Sequence, residues 1–226
     1  MDYPYNSAQL LTDTVFALYG GDNGGSSAAQ RAAAYLISER QMTEHIGAFL
    51  KPTIVTGTYL WATADPLQLE FGYVSNILSV SLNSAGNVIY NYTPDDVQHY
   101  VMIRNARAGF VDILCTPIGW SNCSCSPLFP YTIALAYQSG LLTGTSSQPD
   151  ILLALTLGAQ IMLNEIDHLN LSNEGVADIG IQEFSNSFYH EIRTKLGHSA
   201  FGSSATANMI TRLTKHLRAN SALRFH

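Results

Sequence analysis

Residues 26–61 read "SSAAQRAAAYLISERQMTEHIGAFLKPTIVTGTYLW", and two periods meet inside them. Up to Phe49 the apolar residues Ala29, Ala33, Leu36, Ile37, Met42, Ile46 and Phe49 recur at helical spacing behind a serine cap. That pattern predicts a helix of about five to six turns, ended by Gly47 and Pro52. From Thr53 the period changes. "TIVTGTYLW", "LQLEFG" and "NILSVSLN" alternate or carry β-branched and aromatic residues, and "SAGN" is a tight-turn signal before "VIYNY". These predict strands and hairpins. "HYVMIR", "GFVDILC" and "YTIALAYQSG" extend the strand-rich stretch, with "TPIGWSNCSCSPLFP" as turn chemistry between the last two.

Helical patterns lie on both sides. Upstream, "YNSAQLLTDTVFALYGG" places Leu10, Leu11, Thr14, Val15 and Leu18 on one side of a short helix stopped by Gly20 and Gly21. Downstream, "PDILLALTLGAQIMLNEI" (149–166) is uncharged from Ile151 to Leu163 but closed by Asp150 and Glu165, well short of the ~20 apolar residues of a membrane span. Pro149 and Asp150 suit a helix start. Around this helix, Leu152, Leu155, Ala159, Met162 and Ile166 form an apolar stripe. Ala154 and Gly158 form a small-residue strip, and Thr156, Gln160 and Asn164 form an uncharged polar row. Such a helix is nearly encircled by protein, either by its own domain or by a neighbouring subunit on the neutral face. "NEGVADIGIQEFSNSFYHEI" has hairpin character, and "SSATANMITRLTKHLRA" predicts a closing helix with Ala205, Met209, Leu213 and Leu217 at helical spacing. The expected class is α+β, packed helices with an inserted antiparallel β-sheet and an extended C-terminal tail.

Composition narrows the function. Only 12% of residues are charged, against ~25% in ordinary soluble domains, a surface poorly suited to a solitary monomer. Nothing at the amino end has the basic-then-apolar form of a signal peptide. The net charge of −6 is unevenly spread. Residues 1–192 hold five Lys/Arg and all 17 Asp/Glu, while residues 193–226 hold six Lys/Arg and no acid. A basic tail on an acidic body suits docking to an acidic protein surface or to nucleic acid, or is a solvated last helix with cations at its carboxyl end. Cys115, Cys123 and Cys125 lack the fourth ligand of a structural zinc site, so no metal is expected. No nucleophile elbow, zincin, dinucleotide or Walker motif is present, and His168 and His190 stand beside carboxylates only in sequence. No catalytic residue and no cofactor is expected. Tyr59, Trp61, Phe71, Tyr73, Tyr90 and Tyr92 sit in acidic or neutral strands and read as sheet packing, not a nucleic-acid stacking ladder.

The order of these pieces resembles a known family. "AAQRAAAYLISERQMTEHIGAFLKPTIVTGTYLW", "GYVSNILSVSLNSAGN", "IALAYQSG" before "QPDILLALTLGAQIMLNE", and "EGVADIGIQEFSNSFYHEIRTKLGHSAFGSSATANMITRLTKHLR" together resemble the head-to-tail connector (adaptor, neck or head-completion) proteins of tailed double-stranded DNA bacteriophages. The resemblance spans most of the chain and rests on order and spacing. It implies one connector domain over 1–226 with a β-rich insert at 53–137, of which 93–130 departs from the pattern as an enlarged insertion. It further implies a virion structural protein, made in the host cytoplasm, with no chemistry of its own and no membrane partner. Such a protein forms a homo-oligomeric ring of twelve copies beneath the portal, extends the DNA channel and meets the next neck or tail protein. On this reading Thr156, Gln160, Asn164, Ala154 and Gly158 face a neighbouring subunit. Lys215, Arg218, Leu223, Arg224 and Phe225 of the tail, extended over 219–226, dock on the portal. The alternatives are another neck or tail-completion ring, a soluble binding module, or a small hydrolase using His190 or His168.

Overall fold

The computed structural model describes residues 4–22, 24–61, 66–84, 86–114, 131–146, 148–168 and 205–218. The chain is α+β and divides into two compact units, one of Met1–Ile46 and Leu142–Arg218, the other of Gly47–Leu141 and Ala219–His226.

The first unit is helical. Its elements are α1 (Asp13–Leu18), α2 (Ala28–Ile46), the single turn α4 (Thr143–Ser146), α5 (Pro149–His168) and α6 (Ala205–Thr214), which runs into a 3-10 turn at Lys215–Leu217. Helix α2 starts at a reciprocal cap. The Ser27 hydroxyl accepts from the Gln30 amide, and the Gln30 side chain accepts from the Ser27 amide. It stops at Gly47, whose φ of 73° only glycine adopts readily. Helix α5 packs on α2, α6 and α1, and the Ser38 hydroxyl donates to the Leu155 carbonyl at 2.8 Å.

Two helical faces differ from expectation. Helix α1 begins only at Asp13, because the Thr12 hydroxyl caps it by accepting from Val15 N. Leu10 and Leu11 therefore precede the helix, Leu18 is 76% exposed, and Phe16 is the buried anchor. The Phe16 ring lies 5.2 Å from that of Tyr35 and where a Cβ on Gly21 would stand. In α6 the buried residues are Ala207, Ile210, Thr214 and, in the turn beyond, Leu217. Ala205 and Met209 are exposed and Leu213 is half-buried. At about 100° per residue, three successive steps of four drift ~120° around the helix, whereas steps of 3, 4 and 3 stay within ~80°.

The second unit holds β1 (Thr53–Trp61), β2 (Leu67–Gln68), β3 (Val74–Ser84), β4 (Asn87–Asn91), α3 (Pro94–Tyr100), β5 (Val101–Asn105), β6 (Phe110–Ile113) and β7 (Tyr131–Ser139). Two antiparallel sheets result, β1-β7-β3-β4 and β2-β6-β5. The stretch "HYVMIR" does not begin as strand, since α3 runs to Tyr100. Thr93 and Asp96 form a capping box with Pro94 in the first turn, a start signal that the alternating residues after it obscured. Strand β7 alternates cleanly, with Ile133, Leu135, Tyr137 and Ser139 buried. Strand β3 buries Val74, Ile77, Val80 and Leu82. Its two steps of three come from bulges at which Ser75 and Leu78 stand opposite no residue of β7 in the register. The exit from β7 is sterically tight. Gly140 has φ of 143°, and a Cβ there would collide with the Lys51 carbonyl oxygen.

Candidate assembly surfaces

The small strip of α5, Ala154 and Gly158, is buried inside the helical unit. Its neutral row is graded. Thr156 is 2% exposed, and its hydroxyl has no hydrogen-bond partner among the described residues. Gln160 is half-buried and occupied within the chain, its Oε1 accepting from the Asp22 amide at 2.9 Å and its Nε2 donating to Asn164 Oδ1 at 3.3 Å. Asn164 is exposed. The row thus runs from the interior of its own unit out to solvent, and Gln160 fastens the loop after α1 onto α5.

At the carboxyl end of the helical unit, Lys215 is exposed and Arg218 is half-buried. Nη2 of Arg218 lies 3.1 Å from Nε2 and 3.3 Å from Nδ1 of His45. Burial, and then the Arg218 charge, pull the His45 pKa down to about 4, so the imidazole is neutral near pH 7. Arg218 is therefore tied into the helical unit at the point where the chain leaves it. Leu223, Arg224 and Phe225 lie outside the described residues, as do the three cysteines and His190.

One group that the sequence did not single out organises the amino end. Glu39, in the middle of α2, is fully buried, and its carboxylate accepts three backbone N–H bonds, from Gln9 and Leu10 at 2.6 Å and Leu11 at 2.8 Å. It holds a bent segment that has no helix or strand to satisfy its amides. Next to it, Asp13 takes a bidentate contact from Arg31 (2.9 and 3.1 Å) and the Tyr35 hydroxyl at 2.9 Å. The Arg31 bond, then the Tyr35 bond, hold the Asp13 carboxyl below its ordinary range.

The four-stranded sheet has a contrasting exposed face. From β1 it carries Ile54, Thr56, Thr58 and Leu60, and cross-strand pairing sets beside them Gln138, Ala136, Ala134 and Thr132 of β7. Beyond β7 come Asn76, Ser79, Ser81 and Asn83 of β3, and Asn91 and Val88 of β4. No member of these rows carries a charge. Among the described residues no helix is long and apolar enough to cross a membrane.

No protein-family model matches the chain, and no curated protein matches it. Among solved structures, a chain described as "Virion of native gene transfer agent (GTA) particle" aligns with 79% of this chain and 88% of its own length. The alignment has 16% identity and a TM-score of 0.45.

Proposed function

We propose that this chain is a structural protein of a phage-type virion, without catalytic activity, and that it forms the connector ring joining head to tail. In this reading the whole chain is one connector module, with the β-rich stretch 53–137 as its insert. The ring lies beneath the portal, extends the DNA channel and presents a surface to the next neck or tail protein. The observation that carries the reading is the order of the elements. Helices from both ends of the sequence pack as one unit, and everything from Gly47 to Leu141 belongs to a separate β-rich unit, the order that the sequence resemblance to connector proteins implies. Electrostatics support it. A body holding all 17 acidic residues against five basic ones repels phosphate and lets DNA slide rather than bind.

The tail supplies the portal contact. Lys215 is exposed, and Leu223, Arg224 and Phe225 follow Arg218 in an alternating stretch suited to strand addition on a partner's sheet edge. The test is co-expression with the portal protein encoded beside this gene. Full-length protein is expected to co-purify with DNA-free portal in fixed, ring-like stoichiometry, and protein lacking residues 219–226 is expected to fold but not bind. A genome lacking a neighbouring portal gene, or full binding by the truncated chain, would overturn the corresponding claim.

A further inference from the structure

Among the described residues the four-stranded sheet ends in two edge strands, β1 and β4. Edge strands are normally blunted by charged residues, especially lysine, by proline, or by a covering element, because their free N–H and C=O groups invite pairing with another chain. Strand β1 has nine residues and β4 five, and neither contains a Lys, Arg, Asp, Glu or Pro. Among the described residues each is paired on one side only, β1 with β7 and β4 with β3. Large apolar side chains stand in solvent on both, Ile54 and Leu60 on β1 at 64% exposure each, Val88 and Ile89 on β4 at 59% and 46%. Ile89 is the extra residue of a β-bulge, so the irregularity that can blunt an edge here adds an apolar group to it.

The two edges also fit each other. Every pairing in the sheet is antiparallel, so with four strands β1 and β4 run in opposite directions, and β4 of one copy beside β1 of another continues the alternation. Height matches as well as direction. Leu60 pairs with Thr132, Thr132 with Asn83, and Asn83 with Val88, which puts Leu60 and Val88 at opposite ends of one cross-strand row on the exposed face. Two copies placed side by side without stagger bring Val88 against Leu60.

We propose that copies of this chain associate head to tail through this sheet, β1 of one copy pairing antiparallel with β4 of the next and Leu60 packing on the neighbour's Val88. The occupant of each edge is the other edge of a second copy. A heterologous contact of this kind closes into a ring when its rotation closes, and an unstaggered row suits a closed ring better than a rising filament. The proposal rests on the ring reading above and specifies which surfaces make the ring.

The test uses full-length protein, with mass in solution measured by light scattering and folding checked by circular dichroism. Wild type is expected to assemble as concentration rises. L60K and V88K, each at an exposed position, are expected to stay folded at the 24.6 kDa of one chain. Mixing the two variants is decisive. The intact β4 edge of L60K meets the intact β1 edge of V88K, so the mixture should yield particles of twice the monomer mass and no larger. The double variant L60K/V88E, which sets a lysine opposite a glutamate at every junction, should recover large assemblies. Rings formed by either single variant would overturn the edge pairing while leaving the ring intact. Loss of assembly in L60K but not V88K would indicate β1 pairing with itself. Wild-type protein that stays monomeric at every concentration would remove the ring reading as well.

Discussion

The helical unit and the sheet unit satisfy their backbone polar groups in different ways. In the helical unit, buried polar side chains reach back to the chain's own backbone. Glu39 takes three amides, Ser38 gives to the Leu155 carbonyl, Thr43 to Glu39 and Thr214 to Ile210. The exceptions among the described residues include Gln41 Oε1 and the Thr156 hydroxyl. In the four-stranded sheet β7 and β3 are paired on both sides, whereas among the described residues β1 and β4 each pair on one side only and carry exposed apolar side chains. A helix satisfies its backbone within one segment, whereas a strand needs a neighbour on each side. The unit built from strands is therefore the one with bonding capacity left for partners.

Substitutions can break this contrast from either side. Both tryptophans, Trp61 and Trp120, belong to the stretch Gly47–Leu141, so tryptophan fluorescence follows the sheet unit while helical ellipticity follows mainly the other. The largest effect is expected from Gly140→Ala. The new methyl would collide with the Lys51 carbonyl and hold alanine at φ of 143°, costing at least ~3 kcal/mol and shifting the fluorescence transition first in a urea titration. Glu39→Gln comes next. An amide NH2 would face a backbone N–H that now donates to a carboxylate, leaving a buried donor without an acceptor at a cost of about 2 kcal/mol. The ellipticity transition should move and the fluorescence transition much less. Coincident shifts in both probes for both variants would mean that the units unfold as one and that the contrast has no energetic counterpart.

The effect that is smallest near neutral pH concerns His45. Its folded pKa of about 4 lies below its ordinary value of 6.5, so the unfolded chain binds the proton more readily. Stability is then full above about pH 6.5 and declines as pH falls towards 4. The window is separate from that of Asp13, which is held below its ordinary value of 3.8. A modest fall in melting temperature between pH 7 and 4.5 is expected, and His45→Gln should flatten it. An unchanged slope in that variant would assign the effect to other groups.

Much of this architecture was legible in the sequence, for identifiable reasons. The change of period at Pro52 marks the end of the helix and the start of β1, and α5 follows from a capped, uncharged run of helical length. These are local signals. The sheet order is not local. Nothing near Thr53 or Val74 says that both strands will pair with residues 131–139, or that β3 will carry two bulges that shift which residues face inward. The short helix α3 had its signal in "TPDD" (93–96), outweighed by the alternation after it. Glu39 was not legible at all. A glutamate in the middle of a helix ordinarily reads as a solvated position, and only a long-range contact with Gln9–Leu11 makes it a buried acceptor. The tie between Arg218 and His45 is hidden in the same way, by a sequence separation of 173.

The place of β7 in the sheet has a consequence for the order of synthesis. Strand β1 is complete at Trp61 and β3 at Ser84, but the strand that lies between them ends at Ser139. At translation rates of about 5–20 residues per second, β1 waits on the order of ten seconds for the strand that pairs with it. Through that interval a nine-residue stretch without charge or proline is unpaired on both sides, while copies of the same nascent chain are made on neighbouring ribosomes. The uncharged strands proposed here to pair mature subunits are thus the ones most open to wrong partners during translation. Closure around a strand so distant in sequence leaves β1 exposed to such partners for longer than pairing with a local strand would.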